Sequence, residues 1–286
     1  MIDGILATAA PLLLASLGAL LTELTGTLGV FIEGFMILGS FFSWVAAGTT
    51  GSVALGLLYG AVLGGLIGWA LARFVRLTEA NPFIVGLALN VGALGTVDTL
   101  SSLWYGTKGV VRIPSIPTVD SRVFVVIALG ALLLEALIID RTPLGLRLRS
   151  VGGSPEAAFE RGIRIQWYRE GAWTAAAVLA SLAGAALSFR VGAYAPGGVA
   201  GRGWIALAAV YLGFRRVWGV ALAALLFAFV ERIGSLVQGS SGIPATLLLG
   251  LPSALALVLF TLSSALRGKV WKFPPSSRDP KKPIHK

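Results

Sequence analysis

Long apolar runs separated by short polar breaks constrain the fold of this sequence more than any other feature. Nine such runs can be recognised, at residues 5–21, 30–47, 53–71, 83–100, 123–139, 172–188, 204–214, 218–230 and 244–262. A helix needs about 20 apolar residues to cross the hydrocarbon core of a bilayer, and most of the runs approach that length. The sequence therefore predicts an all-α, polytopic membrane protein with about nine transmembrane crossings.

The composition excludes most other classes of protein. Hydrophobic residues make up 56% of the 286 residues and charged residues only 13%, whereas a soluble domain carries roughly 25% charged residues. A water-soluble globule of this size could not bury so much apolar surface in one core. A soluble enzyme and a disordered chain are both excluded on this ground.

Several segments predict irregular backbone between or within the crossings. The runs at 204–214 and 218–230 are too short for straight crossings, and we expect broken or partly re-entrant helices there. Residues 101–121 and 190–203 contain glycines, prolines and serines that predict loops. A further Gly/Ser loop is expected at 234–242, after Glu231-Arg232 and before the last crossing.

The positive charges predict the orientation. Residues 73–80, 141–170, 215–216 and 267–286 hold 17 of the 23 Lys and Arg residues, and cytoplasmic loops carry the Lys/Arg excess in membrane proteins. We therefore expect an external N-terminus, a membrane domain over 1–266 and a flexible, basic cytoplasmic tail over 267–286. The net charge of +10 lies in loops and the tail rather than on one folded face, which argues against a nucleic-acid partner.

The sequence also lacks the residues that most catalytic sites need. It has no cysteine, and its single histidine, His285, is next to the last residue. Disulfides, thiolate sites, histidine metal clusters and a Ser-His-Asp triad are therefore excluded within this chain. The phosphate-binding motif of P-loop ATPases is also missing. We expect no catalytic residue, metal or cofactor in this chain.

A few polar side chains interrupt the apolar runs. Glu33, Asp98 and Glu135 are ionisable, and such residues are costly in a bilayer and often functional. For Glu33, which precedes Gly34 and follows a Thr/Gly break, a solute-path or gating role and a structural role are both open. For Asp98 and Glu135, capping or pairing with an arginine is favoured over a path role. Asn90 can line the path or form an interhelical hydrogen bond.

The segment that follows the fifth run is polar and rich in arginine. Within it, Ser154 can cap a short helix over 155–161, with Pro155 in the first turn, Glu156 complementing the helix dipole and Gly162 ending it. A capped amphipathic helix between two crossings can serve as a docking site for a partner protein. It can also lie passively on the lipid headgroups.

Four stretches in this order resemble one family of membrane proteins. They are 28–39 with Ile32-Glu33-Gly34, 81–90 with Ile84-Val85-Gly86-Leu87-Ala88-Leu89-Asn90, 141–163, and 200–209 with Gly201-Arg202-Gly203-Trp204. Over about residues 8–262 the chain resembles permease subunits of bacterial ABC importers, in the broad group that includes branched-chain amino acid and ribose permeases. It is most similar to the nucleoside and riboflavin branch.

The resemblance implies partners and site residues. It implies a permease of the bacterial inner membrane that pairs with a second, different permease around a central path. An external binding protein delivers the solute, and a separate ATPase subunit hydrolyses ATP with Mg²⁺. Residues 141–170 are similar to the cytoplasmic coupling segment that contacts the ATPase; the residues concerned are Arg141, Gly145, Arg149, Ser154, Pro155, Glu156, Ala157 and Ala158. The implied path residues are Phe31, Glu33, Gly34, Asn90 and Arg202.

The sequence departs from this branch at two positions. Gly29 stands where the branch usually has Asn, and Phe31 where it usually has Gly. An added aromatic ring suits stacking on a larger flat ring such as a flavin, so riboflavin remains an alternative to a nucleoside. The other interpretation is that the partner permease makes the polar contacts with a nucleoside. The expected mechanism is alternating access driven by the ATPase. The alternatives from other classes are an ion-coupled secondary transporter, a channel and, least favoured, a membrane-embedded enzyme.

Overall fold

The computed structural model describes residues 2–114, 116 and 119–237, and these residues form ten α-helices and no strand. The helices are α1 (Ile2–Leu24), α2 (Ile32–Thr50), α3 (Val53–Thr78), α4 (Pro82–Tyr105), α5 (Ser121–Arg141), α6 (Pro143–Gly153), α7 (Pro155–Glu160), α8 (Ile165–Val191), α9 (Arg202–Leu212) and α10 (Val217–Val237). The predicted crossing at 244–262 and the predicted tail at 267–286 lie outside the described residues.

Seven of these helices, α1 to α5, α8 and α10, are long and apolar enough to cross a membrane. The predicted helical class is therefore confirmed. The eleven residues of α9 would rise only about 16 Å, roughly half the hydrocarbon thickness. The short run at 204–214 is thus a short helix, as expected, whereas the count of nine crossings stays a prediction.

Local signals in the sequence fix several helix ends. Pro82 occupies the first turn of α4, and the Asn81 side-chain oxygen accepts a hydrogen bond from the Phe83 amide at 2.9 Å. The proline predicted to begin this helix does so. The predicted loop at 101–121 is shorter than expected, because α4 continues to Tyr105 and ends at Gly106, whose φ of 66° suits glycine.

Two predictions about the later helices are wrong. The run 218–230 was expected to form a broken or partly re-entrant helix, and a Gly/Ser loop was expected at 234–242. The α10 helix is instead continuous and extends through Glu231 and Arg232 to Val237. No helix was predicted over residues 141–153, where α6 forms. Pro143 occupies the first turn of α6, and Gly145 lies so close to the Ile139 carbonyl that a β-carbon would overlap it. The helix is thus stabilised by its fit against the end of α5.

The core lies where α8 packs against α1, α2 and α3. Gly184 of α8 lies directly on the Met36 carbonyl, and Gly39 of α2 lies on the backbone of Ser181. Close approach of backbones through small residues is typical of packing between membrane helices. Large apolar side chains on α3, α4 and α5 are instead exposed, as expected for surfaces that face lipid or another subunit.

The two ends of the helical bundle differ in structure. At one end the α4–α5 loop meets the α8–α9 connection through paired hydrogen bonds between Val111 and Tyr194, at 2.9 and 3.0 Å. The opposite end carries α6 and α7, together with an ion pair between Arg76 and Glu170 at 2.9 Å. The arginine-rich segments at 73–80 and 141–170 therefore share one end, which is the arrangement that the orientation prediction requires.

Candidate functional site

The first turn of α2 meets the start of α9 inside the bundle, and Glu33 joins them. Its two carboxylate oxygens accept hydrogen bonds from the Gly201 and Gly203 amides, at 2.9 and 2.7 Å. These are the otherwise unpaired amides at the N-terminus of α9, where the helix dipole favours negative charge. Gly203 approaches so closely that a β-carbon there would lie 2.6 Å from the Glu33 amide nitrogen. Glu33 therefore anchors the short helix α9 to α2.

Asn90 of α4 forms hydrogen bonds on both sides of the start of α2, with the segment that precedes the helix and with its first turn. Its side-chain oxygen accepts a hydrogen bond from the Gly34 amide at 2.7 Å, and its side-chain amide donates to the Val30 carbonyl at 2.8 Å. One buried amide thus satisfies backbone groups on both sides of the helix start. The interhelical hydrogen bond that was one of the two interpretations of Asn90 is present.

The ring of Phe31 lies in the core rather than against open space. Its exposed fraction is 0%, and its centroid is 4.4 Å from that of Trp173 and 5.5 Å from that of Phe35. A solute could stack on this ring only after α2 and α8 separate. The aromatic residue that distinguishes this sequence therefore contributes to helix packing.

Arg202, in the first turn of α9, forms an ion pair with Glu231 of α10. The guanidinium also donates to the Gly198 and Val199 carbonyls, at 2.7 and 3.2 Å. Charge-assisted bonds of this kind are among the stronger hydrogen bonds. Glu231 was not selected from the sequence, because the predicted apolar run 218–230 ends before it. A helical continuation of the run 218–230 would have placed it inside the bundle.

A second carboxylate holds the other end of α9. Glu23, near the end of α1, accepts a hydrogen bond from the Tyr211 hydroxyl at 2.9 Å and pairs with Arg215 at 3.1 Å. Beyond α9 the chain turns sharply, with Phe214 and Arg215 both at positive φ. Glu23 and Tyr211 were not selected from the sequence, because Glu23 follows the run 5–21 and Tyr211 lies near the end of the run 204–214. We define the junction as Glu33, Gly34, Asn90, Arg202 and Glu231.

Two further acidic residues lie outside the junction. Asp98 is half-buried in the second half of α4. Glu135 of α5 is only 5% exposed, and both of its carboxylate oxygens lack a hydrogen-bond partner among the described residues. The arginine pairing that was favoured for Glu135 is therefore not found in the described part of the chain. Those residues also contain no cluster of three or more potential metal ligands.

The predicted coupling segment forms two short helices, α6 and α7. Pro155 begins α7, and Gly162, at a φ of 75°, follows its end, as predicted. The Gly162 amide donates to the Phe159 carbonyl at 2.8 Å, and the Ile163 amide donates to the Ala158 carbonyl at 3.0 Å. The capping prediction for Ser154 is wrong in detail, because its side chain makes no capping hydrogen bond.

The residues of the coupling segment divide into buried and exposed groups. Gly145 and Ala158 are buried, so they fix the segment against the bundle. Arg149 pairs with Asp140 at 2.7 Å, and Arg141 ends α5. The exposed surface of α7 is formed by Glu156, Ala157, Phe159 and Glu160. Phe159 is large and apolar, and 72% of it is exposed.

The α6 helix connects this exposed surface to the core. Gly152 of α6 lies on the Leu24 carbonyl and the Gly26 amide, so closely that a β-carbon would overlap both. The Arg169 side chain, at the start of α8, donates to the Thr25 carbonyl at 3.3 Å. The end of α1 is thereby held between the coupling segment and α8. A bundle of seven helices long enough to cross a membrane, with the short helices α6 and α7 at one end, is typical of a multi-pass membrane protein.

Comparison with known families identifies the family of membrane proteins to which the chain belongs. Residues 1–263 match the sequence model of the family described as the permease component of the branched-chain amino acid transport system. The chain belongs to this family of ABC permeases, which are multi-pass proteins of the inner membrane and transport components rather than enzymes. Membership implies a partner ATPase and a substrate-binding protein.

Similar proteins cover most of the chain. The nucleoside ABC transporter permease NupC of Lactococcus lactis subsp. cremoris is 28% identical, and the guanosine ABC transporter permease NupQ of Bacillus subtilis is 29% identical. Each alignment covers 88% of this chain and 88% of the relative. The solved structure of PsaBC from Streptococcus pneumoniae in complex with Fab matches with a TM-score of 0.56 at 14% identity, covering 91% of this chain and 89% of that one. That match concerns the fold alone.

Proposed function

We propose that this chain is a permease subunit of an ATP-driven importer of nucleosides. The observation that carries the proposal is the similarity over 88% of the chain to permeases named for nucleoside and guanosine transport. The burial of Phe31 supports the same choice, because that ring was the sequence feature that favoured a flavin. In this proposal the N-terminus is external, the C-terminus is cytoplasmic and nine crossings are completed by residues 244–262.

The partner ATPase supplies the energy, and this chain converts it into movement. ATP with Mg²⁺ closes two ATPase subunits, which displace α7 through the exposed surface that includes Glu156, Ala157 and Phe159. A second, different permease forms the other half of the path, and an external binding protein delivers the nucleoside. The two permeases then alternate between outward-open and inward-open states, so α7 must make different contacts in the two states.

The contacts described above give this movement a physical route. Movement of α7 is transmitted to α6, whose Gly152 lies on the end of α1. Glu23 at that end holds Tyr211 and Arg215, at the far end of α9. At the start of α9, Glu33 fixes the helix to α2. We infer that α9 moves together with α1 and α2, because carboxylates from these two helices hold its two ends.

Uptake measurements test this function. Cells that contain the chain with its native partners are expected to accumulate labelled guanosine, and deletion of the chain should reduce uptake to background. Excess unlabelled adenosine should compete, and excess riboflavin should not. Riboflavin uptake that depends on the chain would show that the transported substrate is the flavin and not a nucleoside.

The energy source is tested on the same cells. Uptake should stop when cellular ATP is depleted and should continue when a protonophore is added while ATP is maintained. Uptake that survives ATP depletion but stops with the protonophore would contradict the ABC mechanism. It would instead support an ion-coupled secondary transporter.

A further inference from the structure

A groove of about 960 Å³ opens at the end of the bundle that carries α6. It is lined by α6, the turn between α7 and α8 and the first part of α8, and it extends to Leu21 of α1 and Ile138 of α5. None of the α7 residues Pro155–Glu160 lines it, and neither does any residue of the junction. We call it the α6–α8 groove. It does not include Glu156, Ala157 and Phe159 of α7, which are proposed to contact the ATPase.

The rim of the groove is positively charged. Arg147, Arg161 and Arg164 line it, and none of the described residues that line it is acidic. Asp140, an acid at the end of α5, is already paired with Arg149. A concave surface with charge of one sign attracts ligands of the opposite sign. The rim therefore favours an anionic group.

The deeper wall of the groove is apolar. Leu21 and Ile138 lie near the ends of membrane-spanning helices, and Ala172 and Ala175 lie about two and three turns into α8. Between this wall and the rim lies Trp167, 65% exposed, with Tyr168, whose hydroxyl accepts a hydrogen bond from Arg147 at 3.1 Å. Trp and Tyr are enriched at the level of the lipid headgroups. The groove therefore extends from the headgroup level into the hydrocarbon.

We propose that the α6–α8 groove binds an anionic phospholipid. Its phosphate lies against Arg147, Arg161 and Arg164, and one acyl chain lies along Leu21 and Ile138. Basic pockets between membrane helices commonly hold anionic headgroups. The bound lipid fills the space between α6 and α8 and supports α6 from the membrane side. This inference does not depend on the identity of the transported solute.

Lipid retention on the purified, delipidated full chain tests the proposal. Native mass spectrometry should show tighter binding of phosphatidylglycerol than of zwitterionic phosphatidylcholine. The variant Arg161→Gln/Arg164→Gln should weaken phosphatidylglycerol binding about 25-fold, at roughly fivefold for each arginine. The matched control Arg73→Gln/Arg216→Gln removes the same charge from exposed arginines at the same end and should leave the binding unchanged.

Two additional measurements make the outcome decisive. Leu146→Glu introduces a negative charge into the groove at an exposed position and should weaken phosphatidylglycerol binding without disturbing the core. Soluble glycerol phosphate should not displace the lipid, because it lacks the acyl chains. Equal binding of the two phospholipids, or unchanged binding by both groove variants, would overturn the proposal. The same variants are also isolated in the complex with the partner ATPase. Loss of the ATPase from that complex, with unchanged lipid binding by the full chain, would assign the groove to the protein partner and overturn the proposal as well.

Discussion

Replacing Glu33 by Gln is expected to reduce nucleoside uptake by at least about tenfold. The carboxylate accepts hydrogen bonds from two amides at the start of α9, and the glutamine side chain has one carbonyl oxygen and no charge to offer them. Hydrogen bonds to charged groups contribute about 1.5–3 kcal/mol each, and a loss of about 1.4 kcal/mol already corresponds to a tenfold change. Uptake of labelled guanosine, normalised to the amount of the chain in the membrane, measures the effect.

A second carboxylate provides the matched control for Glu33. Asp120 accepts a hydrogen bond from the Arg122 amide at 3.0 Å at the start of α5, but the site is exposed. Asn caps helices about as well as Asp, so Asp120→Asn should transport normally. Wild-type uptake by Glu33→Gln would show that the anchoring of α9 is unimportant for transport, and the proposed role of the junction would be withdrawn.

Reversing the charge and adding bulk on α7 should have an effect of similar size. The double variant Glu156→Arg/Ala157→Trp changes two exposed residues of the helix, so the membrane bundle should still fold. Like charges or misfitting side chains at an interface cost several kcal/mol, and uptake should fall below about a tenth of the wild-type rate. The substrate-binding protein should still bind its ligand, because delivery of the solute occurs on the other side of the membrane.

The chain contains its own control for this variant. The dipeptide Glu-Ala also occurs at Glu79-Ala80, after α3, outside the coupling segment. Glu79→Arg/Ala80→Trp makes the same chemical change there and should leave uptake close to the wild-type rate. Equal losses in the two double variants would show that the effect is not specific to α7. Normal uptake by Glu156→Arg/Ala157→Trp would count against the proposed role of α7.

Much of the fold follows from local sequence signals. The apolar runs predict the long helices, and Asn81-Pro82 and Pro155 predict two helix starts, because a proline needs no amide partner in the first turn. The α6 helix was missed because Leu144, Leu146 and Leu148 alternate with polar residues, a pattern that does not have the period of a helix. The α6 helix is stabilised by its contacts with α5 and α1. A local sequence pattern does not reveal such contacts between helices.

The sequence predicts which residues belong to the candidate site, but it does not predict the contacts that they make. Glu33 and Asn90 were selected because polar side chains are rare in apolar runs, and Arg202 because the stretch 200–209 resembles the permease family. Their partners are 168, 56 and 29 residues away along the chain, at Gly201, Gly34 and Glu231. Such pairings depend on how the helices pack. The sequence alone therefore did not decide between a path or gating role and a structural role for Glu33, whereas the structure shows how its carboxylate is bound.

The location of α7 tests the central claim most directly. The chain has no cysteine, so Ala157→Cys introduces a single, exposed thiol on this helix. In the native complex we expect this thiol to cross-link to the ATPase subunit with a short bifunctional maleimide. In intact cells it should resist a membrane-impermeant maleimide and react only after permeabilisation. Rapid labelling in intact cells, without a cross-link to the ATPase, would place α7 on the external face and contradict the ATP-driven importer.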